Sequence, residues 1–288
     1  MITSRGKFNW ASGGIMYQAR KQDELIMRVA QSTRNAVLTG PAAAKCYGLS
    51  TLKWVEKVDL LMPGASNSWG QRRSYHDRVY RSARISPEHT EVVNGIRVAQ
   101  LVRCLFDSYR YYGRLEALVQ LESARWKWPG LTEDELLLRT QSLPRAKGLK
   151  GFRDLIRYST STSQSALETL TRDALLQAIE SGRLTGVESI EFQVPFTIRL
   201  PNDPPETSVV DILINGFLGI EADGEVKMSG IYGNPVAVAA SERLREKRLQ
   251  NLGLVMFRVG WAEARDWSFL PQLQALLDRY PRPSSTAL

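Results

Sequence analysis

The chain is poor in the residues that most metal and nucleophile chemistry recruits. It has two histidines among 288 residues, His76 and His89, and both fall in the first half. That argues against a zinc or haem centre, and against a Ser-His or Cys-His nucleophile, in the second half. Its two cysteines, Cys46 and Cys104, stand in apolar helical contexts without metal-ligand spacing and read as buried thiols. There is no apolar run of about 18 residues or more, and the opening stretch MITSRGKFNWASGG has no apolar h-region. A soluble, cytoplasmic protein with no membrane partner is expected. At 43% hydrophobic the chain can bury a core, and its length allows one large domain or two of ordinary size.

The charge is unevenly placed. Residues 1–150 carry 24 Lys and Arg against 13 Asp and Glu, whereas residues 151–288 carry 14 against 17, so the net charge of +8 comes from the first half. A basic half joined to a slightly acidic one suits a protein in which one part holds a polyanion and the other holds cations for chemistry on it; a merely solvated basic surface has the same composition. Between Trp69 and Arg84 the arginines Arg72, Arg73, Arg78, Arg81 and Arg84 are interleaved with Trp69, Tyr75 and Tyr80. Guanidinium forks match phosphates and aromatic faces stack on bases, which makes these arginines the leading nucleic-acid contacts. The alternative is a solvated edge hairpin.

The second half is organised around Val209 to Lys227, VVDILINGFLGIEADGEVK. Two apolar runs flank Asn215-Gly216, the strongest short hairpin signal. Asp211 lies inside the first run, Glu221 and Asp223 follow the second, and Lys227 keeps their parity. An uncompensated carboxylate in a buried strand is costly, so acids converging on one hairpin point to a divalent metal site. Asp211 and Glu221 are expected side by side on neighbouring strands, with Glu168 brought alongside by the preceding helix. Hard oxygen ligands of this kind suit Mg²⁺ or Mn²⁺ rather than zinc. Glu168 also has a purely local explanation, because a carboxylate in the first turn of a helix is favoured by the helix dipole.

In chain order, helical periodicity covers Tyr17 to Gln31, and Pro41 to Tyr47 reads as a short helix with Thr39 as its N-cap. Strand-like runs follow at Val58 to Met62, Val79 to Tyr80 and Glu91 to Val98, the last holding a second Asn-Gly pair, Asn94-Gly95. One helical pattern runs from Val98 to about Trp128, and Thr132 with Glu135 forms a capping-box signature. The breaker-rich segment Leu143 to Lys150 and the polar stretch YSTSTSQS place a domain boundary after residue 158. The expected architecture is α/β: a basic α+β domain over 1–158, then a mixed sheet flanked by helices over 159–288. The second domain reads as helix, strand (Glu191 to Arg199, with Gln193 inside it), hairpin, helix (Val236 to Leu252), strand (Leu254 to Val259) and an amphipathic helix from Asp266 to Tyr280. On the fourth of these elements, Arg243, Lys247 and Arg248, balanced by Glu242 and Glu246, either line a phosphate groove or belong to an ordinary solvated helix.

The pattern Ser165-x-x-Glu168, Gln193, Val210-Asp211, Glu221-x-Asp223-Gly224-x-x-Lys227, Glu242 with Arg245-Glu246, Leu252-Gly253 and Arg258 resembles the PD-(D/E)xK nuclease superfamily. Within it, the pattern is most similar to the branch related to very-short-patch repair endonucleases, over roughly residues 163 to 280. The first half, through Leu38-Thr-Gly-Pro-Ala-Ala-Ala-Lys-Cys-Tyr-Gly-Leu49 and Asn94 to Val98, resembles modules akin to Abi-type type IV antitoxins. The resemblance implies a restriction-endonuclease-like fold with Glu168, Asp211, Glu221 and Lys227 as catalytic residues. It also implies Mg²⁺ or Mn²⁺ held by Asp211 and Glu221, with Asp223 either a further ligand or a turn residue, and DNA as substrate. The superfamily pattern places lysine two residues after the acid, where this chain has Asp223, and the very-short-patch branch uses histidines that this half lacks. The first half, with Arg72, Arg73, Arg78, Arg81 and Arg84, and the helix residues Arg243 and Lys247 are the expected DNA contacts. The other expectation is a non-catalytic DNA-binding transcriptional regulator of the antitoxin kind, with the nuclease-like half as scaffold.

Overall fold

The computed structural model describes residues 10–33, 35–63, 75–83, 85–198, 206–222 and 235–280. It is a mixed α/β chain with two mixed sheets flanked by helices. Residues 16–166 cluster as one compact unit, and the described residues from Leu167 onward belong to another. Among the described residues no helix is long and apolar enough to cross a membrane.

The first unit follows helix α1 (Trp10–Ser32) with β1 (Val37–Thr39), α2 (Gly40–Cys46), β2 (Val58–Leu61), β3 (Arg78–Tyr80), β4 (Thr90–Val93) and β5 (Ile96–Ala99). Four helices complete it: α3 (Leu101–Tyr112), α4 (Arg114–Lys127), α5 (Glu133–Arg139) and α6 (Leu149–Tyr158). The sheet order is β3-β2-β1-β5-β4, with β1 antiparallel to β2 and parallel to β5. Its core gathers Leu38, Leu60 and Val98 from the strands with Phe106, Leu118 and Phe152 from the helices.

Two elements differ from the sequence expectation. The single helix expected from Val98 to Trp128 is two, because Gly113 sits at φ +92°, ψ −176°, a conformation essentially reserved for glycine. The segment after Lys150 holds α6, whose buried Phe152, Leu155 and Ile156 have helical spacing. Thr39 precedes α2 as expected but does not cap it; its hydroxyl donates instead to Asp107 (2.8 Å). Thr132 does cap α5, accepting from the Glu135 N–H (3.2 Å). The polar stretch after residue 158 is anchored to α4: Glu122 accepts from the Thr160 N–H (3.1 Å) and the Ser163 hydroxyl (2.7 Å). Cys104 is buried and Cys46 half-buried, both are free thiols, and burial pushes the Cys46 thiol up to about 11.

The second unit runs α7 (Ala166–Glu180), β6 (Ile190–Ile198), β7 (Glu206–Ile214), β8 (Leu218–Ala222), α8 (Pro235–Asn251), β9 (Val255–Val259), α9 (Trp261–Asp266) and α10 (Leu270–Arg279). The sheet order is β6-β7-β8-β9, antiparallel except for the β8–β9 pair, which α8 connects. The last helix, expected from Asp266 to Tyr280, begins at Leu270, and the short α9, outside that expectation, precedes it with Trp267 at φ +63° between them.

Candidate functional site

Asn215 and Gly216 both take left-handed backbone angles (φ +51° and +70°), which Asn and Gly favour in tight turns, and the Phe217 N–H closes the three-residue loop on the Ile214 carbonyl (3.2 Å). The Asn215 side chain fixes the turn. Its Oδ1 accepts from the Glu188 and Ser189 N–H groups (2.8 and 3.1 Å), and its Nδ2 donates to the Gly186 carbonyl (2.7 Å). The turn sets the register of β7 on β8, Ile214 opposite Leu218 and Ile212 opposite Ile220. One step further in that register, Asp211 comes opposite Glu221. The Ala222 N–H donates to Asp211 Oδ2 (3.0 Å), which ties the two strands together at that step. Glu221 in turn pairs with Arg258 on β9, and on the other side Gln193 of β6 stands opposite Asp211. Gln193, Asp211, Glu221 and Arg258 thus form a row across all four strands.

The row passes through one irregular residue of the sheet. Along β7, Ser208, Val210, Ile212 and Ile214 are buried at alternate positions, so this strand keeps its alternation through Asp211. On the neighbouring strand Phe192 pairs with Ile212 and Val194 with Val210, yet Gln193 between them has φ +53°, left-handed backbone for a non-glycine residue. Beside it the Arg172 guanidinium of α7 lies over the Phe192 ring, and Val194 packs with Val210 and Leu249. Gln193 donates from Nε2 to Glu168 Oε2 in the first turn of α7 (3.2 Å). Left-handed conformations outside glycine are held by surrounding structure and concentrate at functional sites.

Glu221 is buried, and Arg245 of α8 holds it. The Arg245 guanidinium donates to Glu221 Oε2 (3.3 Å) and also contacts Oε1, while its Nε donates to the Ser208 hydroxyl (2.7 Å) and its second terminal nitrogen to the Val209 carbonyl (2.7 Å). Burial raises the Glu221 carboxyl above its ordinary value; the Arg245 charge opposes that shift and the nearby Asp211 charge adds to it. The space lined by Glu221, Arg245, Glu246, Leu249, Met256 and Arg258 has no room for a water molecule. Arg258 also reaches Glu246 on α8 (3.1 Å).

The structure therefore brings Asp211 and Glu221 together and joins Glu168 to their row through Gln193. Asp223 and Lys227 lie outside the described residues, as do Arg72, Arg73 and Arg84. Among the described residues no group of three or more His, Cys, Asp or Glu side chains gathers to hold a metal ion. The two carboxylates are hard oxygen donors of the kind a divalent cation takes; they stand on adjacent strands, close enough for one to perturb the other, and the Arg245 guanidinium is the cation seated on Glu221.

Of the basic candidates, Arg78 makes a two-point pair with Asp77 (2.9 and 3.0 Å) and donates to Ser32 (3.0 Å). Arg81 donates to the buried Asp59 (2.6 Å) and stacks on Tyr111 (4.3 Å to the ring centroid). Both are thus committed to internal partners. Arg243 and Lys247 are exposed on α8. The sequence assigned no role to Arg245 and did not single out Ser208; which arginine of α8 faces the sheet depends on the helix's rotational phase, which its evenly charged sequence leaves open. No family model matches the chain, and neither a curated protein nor a solved structure matches it.

Proposed function

We propose that the second unit is a divalent-metal-dependent nuclease acting on DNA, of the restriction-endonuclease-like kind. The observation that carries this reading is the Asp211–Glu221 pair, set on adjacent strands beside the left-handed Gln193, with a side-chain cation held by one of its members. Asp211 and Glu221 would hold Mg²⁺ or Mn²⁺, which lowers the pKa of a bound water and offsets charge on the scissile phosphate. Asp211 is aimed by the Ala222 N–H, which donates to its Oδ2. Glu168, steadied by Gln193, is placed to accept a proton from or orient a water at the end of the row. Lys227 is assigned the balancing of charge on the reacting phosphate. The basic first unit and the exposed Arg243 and Lys247 supply backbone contacts to DNA.

The test is direct. Purified protein nicks or cuts DNA with Mg²⁺ and not with EDTA, and Asp211→Ala lowers the rate by roughly 1000-fold or more. Cleavage that survives this substitution removes the site. A second reading draws on the Glu221–Arg245 pair, because a carboxylate neutralised by an internal arginine is also what a non-catalytic scaffold contains. That reading, a DNA-binding transcriptional regulator of the antitoxin kind, expects salt-sensitive, metal-independent binding to a specific duplex and no cleavage under any metal.

A further inference from the structure

We propose that Arg245 is a built-in competitor for the metal: its guanidinium and a divalent cation take the same carboxylate, so Glu221 becomes a ligand only when Arg245 leaves it. This rests on the metal-site reading above and adds a regulation of that same site. The geometry is specific. Arg245 engages both Glu221 oxygens, and its remaining contacts, to Ser208 and the Val209 carbonyl, bind it to the strand that carries Asp211. The cleft around the pair has no room for a water molecule, so a hydrated ion has no place beside the guanidinium. Two positive charges on one carboxylate also repel each other strongly in such a site.

A guanidinium also takes a phosphate in two-point contact. A phosphodiester arriving at the row would compete with Glu221 for Arg245 and, where it wins, open the carboxylate to the cation. Metal and nucleic acid would then assist each other's binding, and by linkage each raises the other's affinity by the same factor.

The experiment measures Mn²⁺ binding by electron paramagnetic resonance on the full chain without DNA, at about pH 8 to work against the raised Glu221 value. The unaltered protein is compared with Arg245→Gln, Ser208→Ala and Asp211→Asn. If the Arg245-bound form outweighs the open one by about ten to one, removing the guanidinium tightens Mn²⁺ binding about tenfold. Arg245→Gln binding Mn²⁺ no more tightly than the unaltered protein, with its circular dichroism intact, overturns the competition while leaving the metal site standing. Should Arg245→Gln fail to fold, Ser208→Ala decides: it removes one anchor and keeps the charge, and a few-fold tightening, about threefold, is expected, whereas unchanged binding overturns the proposal. Asp211→Asn is expected to abolish binding. Absence of Mn²⁺ binding in all four proteins refutes the metal-site reading itself, and the competition with it.

Discussion

Asp59 lies in β2 of the first unit and Asp211 in β7 of the second, and around each the sequence is an apolar run interrupted by one acid. Their surroundings differ. Asp59 is fully buried, accepting from Arg81 (2.6 Å) and from the Tyr112 hydroxyl (2.5 Å). Its neighbour Asp107, also fully buried, accepts from Thr39 (2.8 Å), Arg103 (2.9 Å) and Arg110 (3.4 Å). These acids are enclosed by side chains from several elements, on regular strand and helix, and the arginines that could have faced outward are turned in to meet them. Asp211 is half-buried, accepts from the Ala222 N–H of the next strand, and stands beside the left-handed Gln193 of β6. An acid in an apolar strand thus signals a structural ion network in one unit and a candidate ligand in the other. What separates them is the depth of burial and the backbone conformation of the neighbouring strand.

The contrast is open to attack from both sides. The largest expected effect is on cleavage, where Asp211→Ala acts on rate by roughly 1000-fold, and a nicking assay beside a urea unfolding curve shows whether stability is spared. In the first unit the order reverses. Asp107→Ala is expected to remove about 3–5 kcal/mol of stability, because it strands guanidinium charge in the interior, and a loss under about 1 kcal/mol by urea unfolding would deny the network its structural role. A smaller test uses the two turns, since Asn94 and Asn215 share φ +51° but only Asn215 bridges to Gly186, Glu188 and Ser189. Asn215→Ala should cost about 2–3 kcal/mol and Asn94→Ala about 1 kcal/mol; equal losses would mean that the turn geometry alone matters.

The smallest expected effect is on pH dependence. Burial raises the Asp59 carboxyl above its ordinary 3.8, against the opposing pull of Arg81 and Tyr112. As pH climbs past 3.8 the unfolded chain gives up this proton before the folded one does, so stability falls until the raised folded value is passed and is level beyond it. Asp59→Asn lacks that titration. The stability difference between the unaltered protein and the variant, measured in urea at a series of pH values, should therefore shrink in the unaltered protein's disfavour as pH rises through this window. A difference independent of pH would show that Asp59 is not desolvated in the folded state.

Much of this was legible in the sequence, for identifiable reasons. Asn215-Gly216 marks the turn, but the register that sets Asp211 opposite Glu221 also needs Phe217 in the turn, which the dipeptide alone does not give: a two-residue turn would set Asp211 opposite Ile220. The element order of the second unit follows from its alternation of apolar periods. The left-handed backbone at Gln193 has no compositional mark, because glutamine is not a residue that such angles favour; tertiary packing imposes it. Arg245 was hidden because α8 carries charge around its circumference, leaving no apolar stripe by which to orient it. The break at Gly113 was marked by the glycine itself but outweighed by continuous helical periodicity on either side.

The turn at Asn215-Gly216 also bears on the order in which the site comes together. Asp211 and Glu221 are close along the chain, and a hairpin of this kind closes on a timescale of about 1–10 μs, before slower pairings are made. Arg258 joins only after α8 has formed and β9 has paired in parallel across it, a connection of high sequence separation and correspondingly slow closure. The two acids are therefore expected to meet first, in a hairpin still open to solvent. On that order α8 settles over them later with Arg245, so that the charge facing Glu221 would arrive in the same event that desolvates it. A carboxylate pair assembled dry would oppose its own folding.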